Sequence, residues 1–232
     1  MSVLYLIPNL LSDNTVDDVL PLRILSVIRG IHHFFVEDIR TTRRFLSKLK
    51  HPIPIDQLYF YALNEHTLEK DIPYFLPVIK ANNAGIISDA GVPGVADPGA
   101  ILVRLAHQNG VKVIPLVGPS SILMALMASG LNGQSFAFNG YLPVKQDERI
   151  ARIRFLERRS ETEQQTQIFI ETPYRNMKLL EDLLHTCKAH TSLCIAADIT
   201  SPDEYIVTRT IQQWKSSLPD LHKRPAVFLI QA

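Results

Sequence analysis

The sequence predicts an α/β protein, because apolar runs of strand length alternate along the chain with segments of helical periodicity. The clearest example is a βαβ unit, in which a strand ending near Ile87 leads through a loop to a helix at 100–108 and a second strand at 111–116. A Gly-Pro turn, VGPSS, follows that second strand. Ligands of parallel sheets bind at the carboxyl ends of the strands, so the two loops predict a small-molecule pocket.

The first of these loops has an unusual composition. The stretch IISDAGVPGVADPG, at 86–99, places three glycines and two prolines between Asp89 and Gly99. Such a density of glycine and proline breaks the strand into a tightly shaped turn and lets the backbone approach a ligand closely. We call residues 88–99 the central loop.

The remaining elements divide the chain into two predicted domains, 1–140 and 141–232. The aromatic segment FAFNGYLP, at 136–143, is interpreted as the bridge between them. In the first domain the apolar patterns predict strands at 3–7, 34–36 and 58–63 and helices at 16–27, 37–50 and 69–80. In the second they predict helices at 145–159 and 174–188 and strands at 167–170, 192–199, 204–210 and 226–230, of which 204–210 alternates like an exposed or edge strand.

The composition excludes several classes of protein. The formal net charge of the 232 residues is +1, so nucleic-acid binding would need local basic patches. Two cysteines without CxxC spacing favour a reducing cytoplasm over a disulfide framework or zinc site, and no apolar run approaches membrane-spanning length. The sequence has no GxGxxG, GxxxxGK[ST], HExxH or GxSxG motif, and its histidines are scattered, so no metal site is expected.

Two segments are locally basic. Read as a helix, EDIRTTRRFLSKLK places four cations on one side, and the segment 145–159 carries six. Each is interpreted either as a solvated helix face or as a contact for a polyanion such as RNA. The cations are Arg40, Arg43, Arg44 and Lys48 in the first segment, and Lys145, Arg149, Arg152, Arg154, Arg158 and Arg159 in the second.

Five motifs in order resemble a known family. They are EDIRTT at 37–42, SDAGVPGVADPG at 88–99, PLVGPSS at 115–121, FAFNGYLP at 136–143 and IETPYR at 170–175. Together they resemble the tetrapyrrole-methylase superfamily, and within it the branch of ribosomal RNA small-subunit methyltransferase I, which methylates a cytidine ribose 2′-oxygen. The resemblance implies two α/β domains, the first with a mostly parallel sheet covered by helices on both faces and the second with a mixed sheet. It further implies S-adenosyl-L-methionine in the interdomain cleft, a homodimer, and small-subunit ribosomal RNA or its particle as partner.

The same resemblance implies a set of cofactor-binding residues. Gly91, Val92 and Pro93 would approach the methionine and sulfonium part, with Asp89 and Asp97 shaping the loop. Ser120 and Ser121 would bind the carboxylate or ribose end. Glu171, Ile199, Pro225 and Ala226 would lie near the nucleoside. Exposed carbonyls, a carboxylate and apolar walls suit such a ligand, whereas the alternative for the glycines and prolines is a turn without a ligand.

The acceptor side is predicted less completely. Methyl transfer to a ribose hydroxyl needs a group that takes its proton, and Glu37, Asp38 and Glu65 are the candidates, with Arg40 placing a phosphate. The alternative for Glu37 and Asp38 is a pair of acids favoured at a helix N-terminus. The family's first loop reads close to PTPIGNL, whereas here Pro8, Asn9 and Leu10 stand together. Three hypotheses follow: an RNA 2′-O-methyltransferase, a tetrapyrrole methylase, and a cofactor-binding, ribosome-associated module without catalysis.

Overall fold

The structure is a computed structural model that describes residues 2–13 and 16–232. It divides into two compact units, Met1–Ser120 and Ser121–Ala232. The sequence-based boundary at 140/141 lies later than this division; the predicted first domain also includes Met1, Asn14 and Thr15, which lie outside the described residues.

The first unit is built on a five-stranded, wholly parallel sheet in the order β3-β2-β4-β1-β5. Phe34 and Phe35, adjacent in β2, belong to different hydrophobic clusters, because successive side chains of a strand point to opposite faces. Both faces of the sheet are therefore buried, as the sequence predicts. The strands are β1 Val3–Ile7, β2 His33–Val36, β3 Tyr59–Ala62, β4 Ala84–Ile87 and β5 Lys112–Pro115.

Helices cover the two faces of this sheet. Ile24 of α2 and Phe45 of α3 pack into the cluster that contains Phe34, while Ile79 of α4 and Leu102 of α5 pack into the one that contains Phe35. The helices are α1 Val16–Val19, α2 Leu22–Ile28, α3 Ile39–Lys48, α4 Leu76–Ala81 and α5 Gly99–Gln108, with 3₁₀ helices at Ile55–Gln57 and Glu69–Phe75.

Two helices predicted in this unit differ from the structure. The helix predicted at 16–27 is divided into α1 and α2 before Leu22, because Pro21 lacks the amide hydrogen that a continuous helix needs. The helix predicted at 69–80 is a 3₁₀ helix containing Pro73, followed by the shorter α4. In both cases a proline within an apolar pattern outweighs the periodicity.

The second unit contains a mixed sheet in the order β6-β7-β10-β8-β9. Strands β6 and β7 are parallel, and the other neighbours are antiparallel. The prediction of an edge strand near 204–210 is confirmed. The strands are β6 Phe136–Tyr141, β7 Thr166–Ile170, β8 Ser192–Ala197, β9 Tyr205–Thr210 and β10 Ala226–Gln231.

The helices of this unit explain the position of the division. Helix α6 packs against β8, β9 and β10, and the segment interpreted as a bridge is the edge strand β6. The packing of α6 thus assigns 121–140 to the second unit. The helices are α6 Ser121–Ser129, α7 Gln146–Glu163, α8 Asn176–Thr186 and α9 Ile211–Trp214. Within the described parts of the chain, no helix is both long enough and apolar enough to cross a bilayer.

Candidate functional site

The loop that follows β1 holds the central loop in place. Asn9 donates from its backbone amide to Gly91 O at 2.8 Å, and its side-chain Nδ2 donates to Ser88 O and Asp89 O, both at 3.0 Å. Its Oδ1 accepts from the amide of Leu10 at 2.8 Å. Asn9 is 4% exposed, so these bonds are shielded from water and fix the backbone of the central loop against the carboxyl end of β1.

A close contact between glycine and proline joins this loop to the turn after β5. A Cβ on Gly118 would lie 2.2 Å from Pro8 Cβ and 2.3 Å from Pro8 Cγ. Only glycine lets these two loops approach so closely. The loops that follow the adjacent strands β4, β1 and β5 therefore form one packed cluster.

Asp97 gives the central loop its internal shape. Its Oδ1 accepts from the amides of Gly94 at 2.7 Å and Gly99 at 2.8 Å. Burial raises the pKa of this carboxyl, and the two amide hydrogen bonds offset part of that rise. Gly91, at φ +71°, and Gly94, at φ +82°, adopt left-handed conformations that favour glycine.

Acidic side chains gather where β2 and β4 end. Glu37 Oε2 accepts from the amide of Asp89 at 3.1 Å. The pKa of Asp89 is raised by partial burial and then by the negative charges of Glu37 and Asp38. Asp38 instead caps α3, where its Oδ1 accepts from Thr41 N at 2.7 Å, and its pKa is lowered mainly by this bond. The helix-terminal interpretation is thus confirmed for Asp38, and its lowered pKa makes it a weaker base.

The other two acceptor-side candidates are exposed. Glu65 is 86% exposed in its side chain, and its ion pair is with neighbouring His66 at 3.6 Å. The adjacent Asn64 donates from Nδ2 to Glu37 O at 3.4 Å, so the loop that follows β3 reaches the end of β2. Arg40 is exposed in the first turn of α3. Their catalytic roles stay predictions.

Two cavities flank the central loop within the first unit. An apolar cavity of about 410 Å³ is lined by Val92, Pro93 and Gly94 together with residues of β1, α5 and β5. A polar cavity of about 350 Å³ lies between α3 and the loop after β1, and Asp89 and Ala90 line it. We call these the apolar cavity and the α3 cavity. Predicted cofactor contacts Val92 and Pro93 thus line the first, whereas Asp89 lines the second.

The predicted cofactor residues of the second unit meet at one end of its sheet. The amide of Asp198, beside Ile199, donates to Pro225 O at 3.0 Å, and Ala226 pairs with Ala197. Ile199 and Ala226 are buried. The neighbouring pair Val227 and Ile170 places Glu171 at the same end. The four predicted residues Glu171, Ile199, Pro225 and Ala226 are thus grouped.

The carboxylate of Glu171 already has partners. It is 5% exposed and accepts from Thr172 N at 2.6 Å and from Arg175 Nη2 at 2.6 Å. Asp198 is paired in a similar way with Arg224. Both pairs order the loops around them. Of the predicted serines, Ser120 ends the first unit and Ser121 begins α6 in the second.

In both basic segments, some of the cations predicted to lie on an open surface are paired or buried. In the first, Lys48 bonds to Asp13 Oδ1 at 2.8 Å and the Arg43 guanidinium lies 5.5 Å from the Phe60 ring centroid, while Arg40 and Arg44 are exposed. In the second, Arg149 is 2% exposed and is paired with Asp182 at 2.5 Å, so its assignment to a basic surface is wrong. Arg154 and Arg158 are the exposed arginines of α7.

Among residues 2–13 and 16–232, no group of three or more His, Cys, Asp or Glu side chains has a geometry that could hold a metal ion.

Sequence reasoning missed Asn9 and Gly118 as residues of this site. Asn9 lies two residues after the end of β1, and an amide near the end of a parallel strand was the available signal. For Gly118 the Gly-Pro pair marked a turn, but nothing local showed that its partner is Pro8.

The sequence is similar to those of curated bacterial proteins that are named ribosomal RNA small subunit methyltransferase I. A ribosomal RNA small subunit methyltransferase I of Pasteurella multocida is 31% identical over 215 residues, a match covering 90% of this chain and 73% of the relative. The chain belongs to the ribosomal RNA small subunit methyltransferase I family. Another member, from Xylella fastidiosa, is 32% identical over 209 residues, covering 90% and 74% of the two chains. No protein-family model matches the chain.

Solved structures share the fold of this chain. The methyltransferase CobJ superposes with a TM-score of 0.63 at 15% identity, covering 99% of this chain and 92% of CobJ. Diphthine synthase superposes with a TM-score of 0.68 at 17% identity, covering 100% and 90%. At these identities the likeness concerns the two-domain α/β fold alone.

Proposed function

We propose that the protein is an S-adenosyl-L-methionine-dependent methyltransferase that methylates a ribose 2′-oxygen of small-subunit ribosomal RNA. The observation that carries the proposal is the central loop, which Asn9, Glu37 and Asp97 hold in a fixed shape at the carboxyl ends of parallel strands. The curated relatives in Pasteurella and Xylella, named ribosomal RNA methyltransferases, support the choice of substrate.

The residues of the first unit fit the cofactor. The apolar cavity, lined by apolar side chains and by the central loop, has a volume of about 410 Å³, which falls within the usual range of ligand pockets. A Cβ at Gly94 would meet nothing within 4 Å, so the space beside Val92 and Pro93 is open, and the φ of +82° is what favours glycine at this position. In this proposal Gly91, Val92 and Pro93 contact the donor, and Ser120, Ser121, Glu171, Ile199, Pro225 and Ala226 contribute the remaining cofactor contacts.

When bound, the cofactor supplies a methyl group on a sulfonium, which an in-line displacement transfers without a metal. The chain must then align the ribose hydroxyl and remove its proton. Asp89, which the resemblance implies as a cofactor residue, is the base in this proposal, because it lines the α3 cavity and because partial burial and the charges of Glu37 and Asp38 raise its pKa. Glu37 orients it through the bond to the Asp89 amide, and Asp38, whose pKa is lowered, serves the helix.

The test uses the purified protein, methyl-labelled S-adenosylmethionine and ribosomal particles from a strain that lacks this protein. Label is expected in small-subunit RNA as an alkali-resistant 2′-O-methylated nucleotide. Cofactor binding by calorimetry without transfer to particles or free RNA would instead support the non-catalytic module. Binding of a porphyrinoid, detected by absorbance, would support the tetrapyrrole alternative, which the names of the sequence relatives do not favour.

The proposal extends to assembly and location. We expect a homodimer, as the family resemblance implies, and a cytoplasmic protein that meets ribosomal particles. Light scattering on the purified protein tests the first expectation, and fractionation of cells tests the second. Exposed Arg40, Arg154 and Arg158 are the proposed contacts to the RNA backbone outside the site.

A further inference from the structure

The α3 cavity has a wall that is one continuous helix face. Thr41, Arg44, Phe45 and Lys48 line it, at spacings i, i+3, i+4 and i+7, which bring side chains to the same side of a helix. Arg40 and Arg43 do not line the cavity. Of the four cations that the sequence placed on one side of this helix, only Arg44 and Lys48 therefore line the cavity.

The two cations of this wall differ in their partners. Lys48 Nζ donates to Asp13 O at 2.7 Å and to Asp13 Oδ1 at 2.8 Å, and this contact lowers the pKa of Asp13. The charge of Lys48 is thereby neutralised. Arg44 also helps to lower the pKa of Asp13 by its charge, but it makes no hydrogen bond or close ion pair with any residue that the structure describes, so its planar fork of donors stays available.

The floor of the cavity is the start of the central loop. Asp89 and Ala90 line it, and Asn9 fixes both the floor and the adjoining loop. A cationic fork on one wall and a carboxyl on the floor match a nucleotide, which offers a phosphodiester to the first and a ribose hydroxyl to the second. The volume of about 350 Å³ is at the lower end of the range for ligand pockets.

We propose that the α3 cavity receives the acceptor nucleotide, with a flanking RNA phosphodiester on Arg44 and the ribose hydroxyl at Asp89. This inference rests on the proposed function and deepens it. Asp89 and Ala90 line this cavity and Val92 and Pro93 line the apolar cavity, so Gly91 lies in the chain between the two, and donor and acceptor would meet at Gly91. Arg44, and not Arg40, is the arginine that positions the reacting nucleotide.

The deciding variants are Arg44→Ala and Arg44→Lys. Arg44→Ala is expected to raise the KM for small-subunit particles by about tenfold to a hundredfold, the loss typical of one charge-assisted hydrogen bond. Arg44→Lys, which keeps the charge without the fork, should recover part of this loss. The affinity for S-adenosylhomocysteine should stay within twofold of wild type, because the cofactor lies elsewhere.

Two comparison variants separate this site from surface attraction. Lys80→Ala removes an exposed cation from α4, on the other face of the sheet, and should leave KM unchanged. Arg43→Ala removes the same charge one residue before Arg44 and should cost less than Arg44→Ala. Equal losses from Arg43→Ala and Arg44→Ala would overturn the proposal in favour of diffuse attraction. Weakened S-adenosylhomocysteine binding by Arg44→Ala would overturn it by assigning Arg44 to the cofactor carboxylate.

A binding measurement keeps this test independent of turnover. For binding to a transcript of small-subunit ribosomal RNA, the slope of log binding constant against log salt concentration should become about one unit less steep in Arg44→Ala but not in Lys80→Ala. An unchanged slope overturns the inference. If the wild-type protein binds RNA but transfers no methyl group, the proposed function fails while this comparison still decides the role of Arg44.

Discussion

Replacing Asn9 is expected to loosen the central loop more than any other single change at the site. The amide makes three side-chain hydrogen bonds, to Ser88 O, Asp89 O and Leu10 N. At about 0.5–1.5 kcal/mol net for each buried bond, Asn9→Ala should cost roughly 2–4 kcal/mol. The cost is local, since all the partners belong to the two loops.

Asn9→Asp is the more specific variant, because it keeps the size of the side chain and removes only the two hydrogen bonds that Nδ2 donates. The carboxylate still accepts from Leu10 N, but it places a negative oxygen against Ser88 O and Asp89 O, where the wild type donates. It also adds charge beside Asp89. We therefore expect Asn9→Asp to be at least as destabilising as Asn9→Ala at neutral pH. Below the pKa of the new carboxyl, a protonated oxygen can donate again, so part of the stability should return.

The assay is hydrogen exchange of the backbone amides at 88–99. It reports local opening of the central loop, whereas global unfolding would average over two units that need not unfold together. Asn82→Ala is the matched control, since it removes a single bond, to Val78 O, from a half-buried asparagine of the same unit. Both Asn9 variants should exchange much faster at 88–99 than this control and bind S-adenosylhomocysteine more weakly. Wild-type protection in Asn9→Asp would refute the hydrogen-bond account.

Three further predictions concern buried charge, pH and thiols. Arg149→Ala leaves Asp182 buried without its charged partner and with only the Gln146 Nε2 hydrogen bond, so it should destabilise the second unit by about 3–5 kcal/mol in urea unfolding, whereas Arg149→Met combined with Asp182→Leu should recover most of this loss. Burial raises the pKa of Asp97 in the folded state above its ordinary value of 3.8, so the contribution of this carboxyl to stability should fall as pH rises from 3.8 through the folded-state pKa. Asp97→Asn should flatten this pH dependence in urea unfolding, whereas Asp97→Ala, which removes the acceptor for Gly94 N and Gly99 N, should be less stable than wild type. Burial raises the pKa of Cys187 and Cys194, so iodoacetamide should label neither thiol before unfolding, and labelling of the native protein by mass spectrometry would contradict this.

Much of the fold could be predicted from patterns within short stretches of the sequence. The βαβ unit around the central loop could be predicted because periodicity, glycine and proline act over a few residues. Pro21 and Pro73 were equally local, yet the apolar periodicity around them hid their effect on the helices. The edge position of β9 also followed from its alternating pattern. What the sequence specified at the site was the shape of the central loop and the presence of acids near its ends.

Tertiary packing decided the rest, because the deciding partners are distant in sequence. Asn9 meets carbonyls 79 and 80 residues away, and no local pattern encodes that distance. Arg149 resembled its exposed neighbours on α7 until its burial against Asp182 removed it from the surface. The same helix face that looked uniformly basic in sequence is divided by packing, so that Arg44 lines a cavity while Arg40 does not. The sequence alone determined the elements and the chemistry available to them, whereas only the folded chain decided which charges are buried, paired or free.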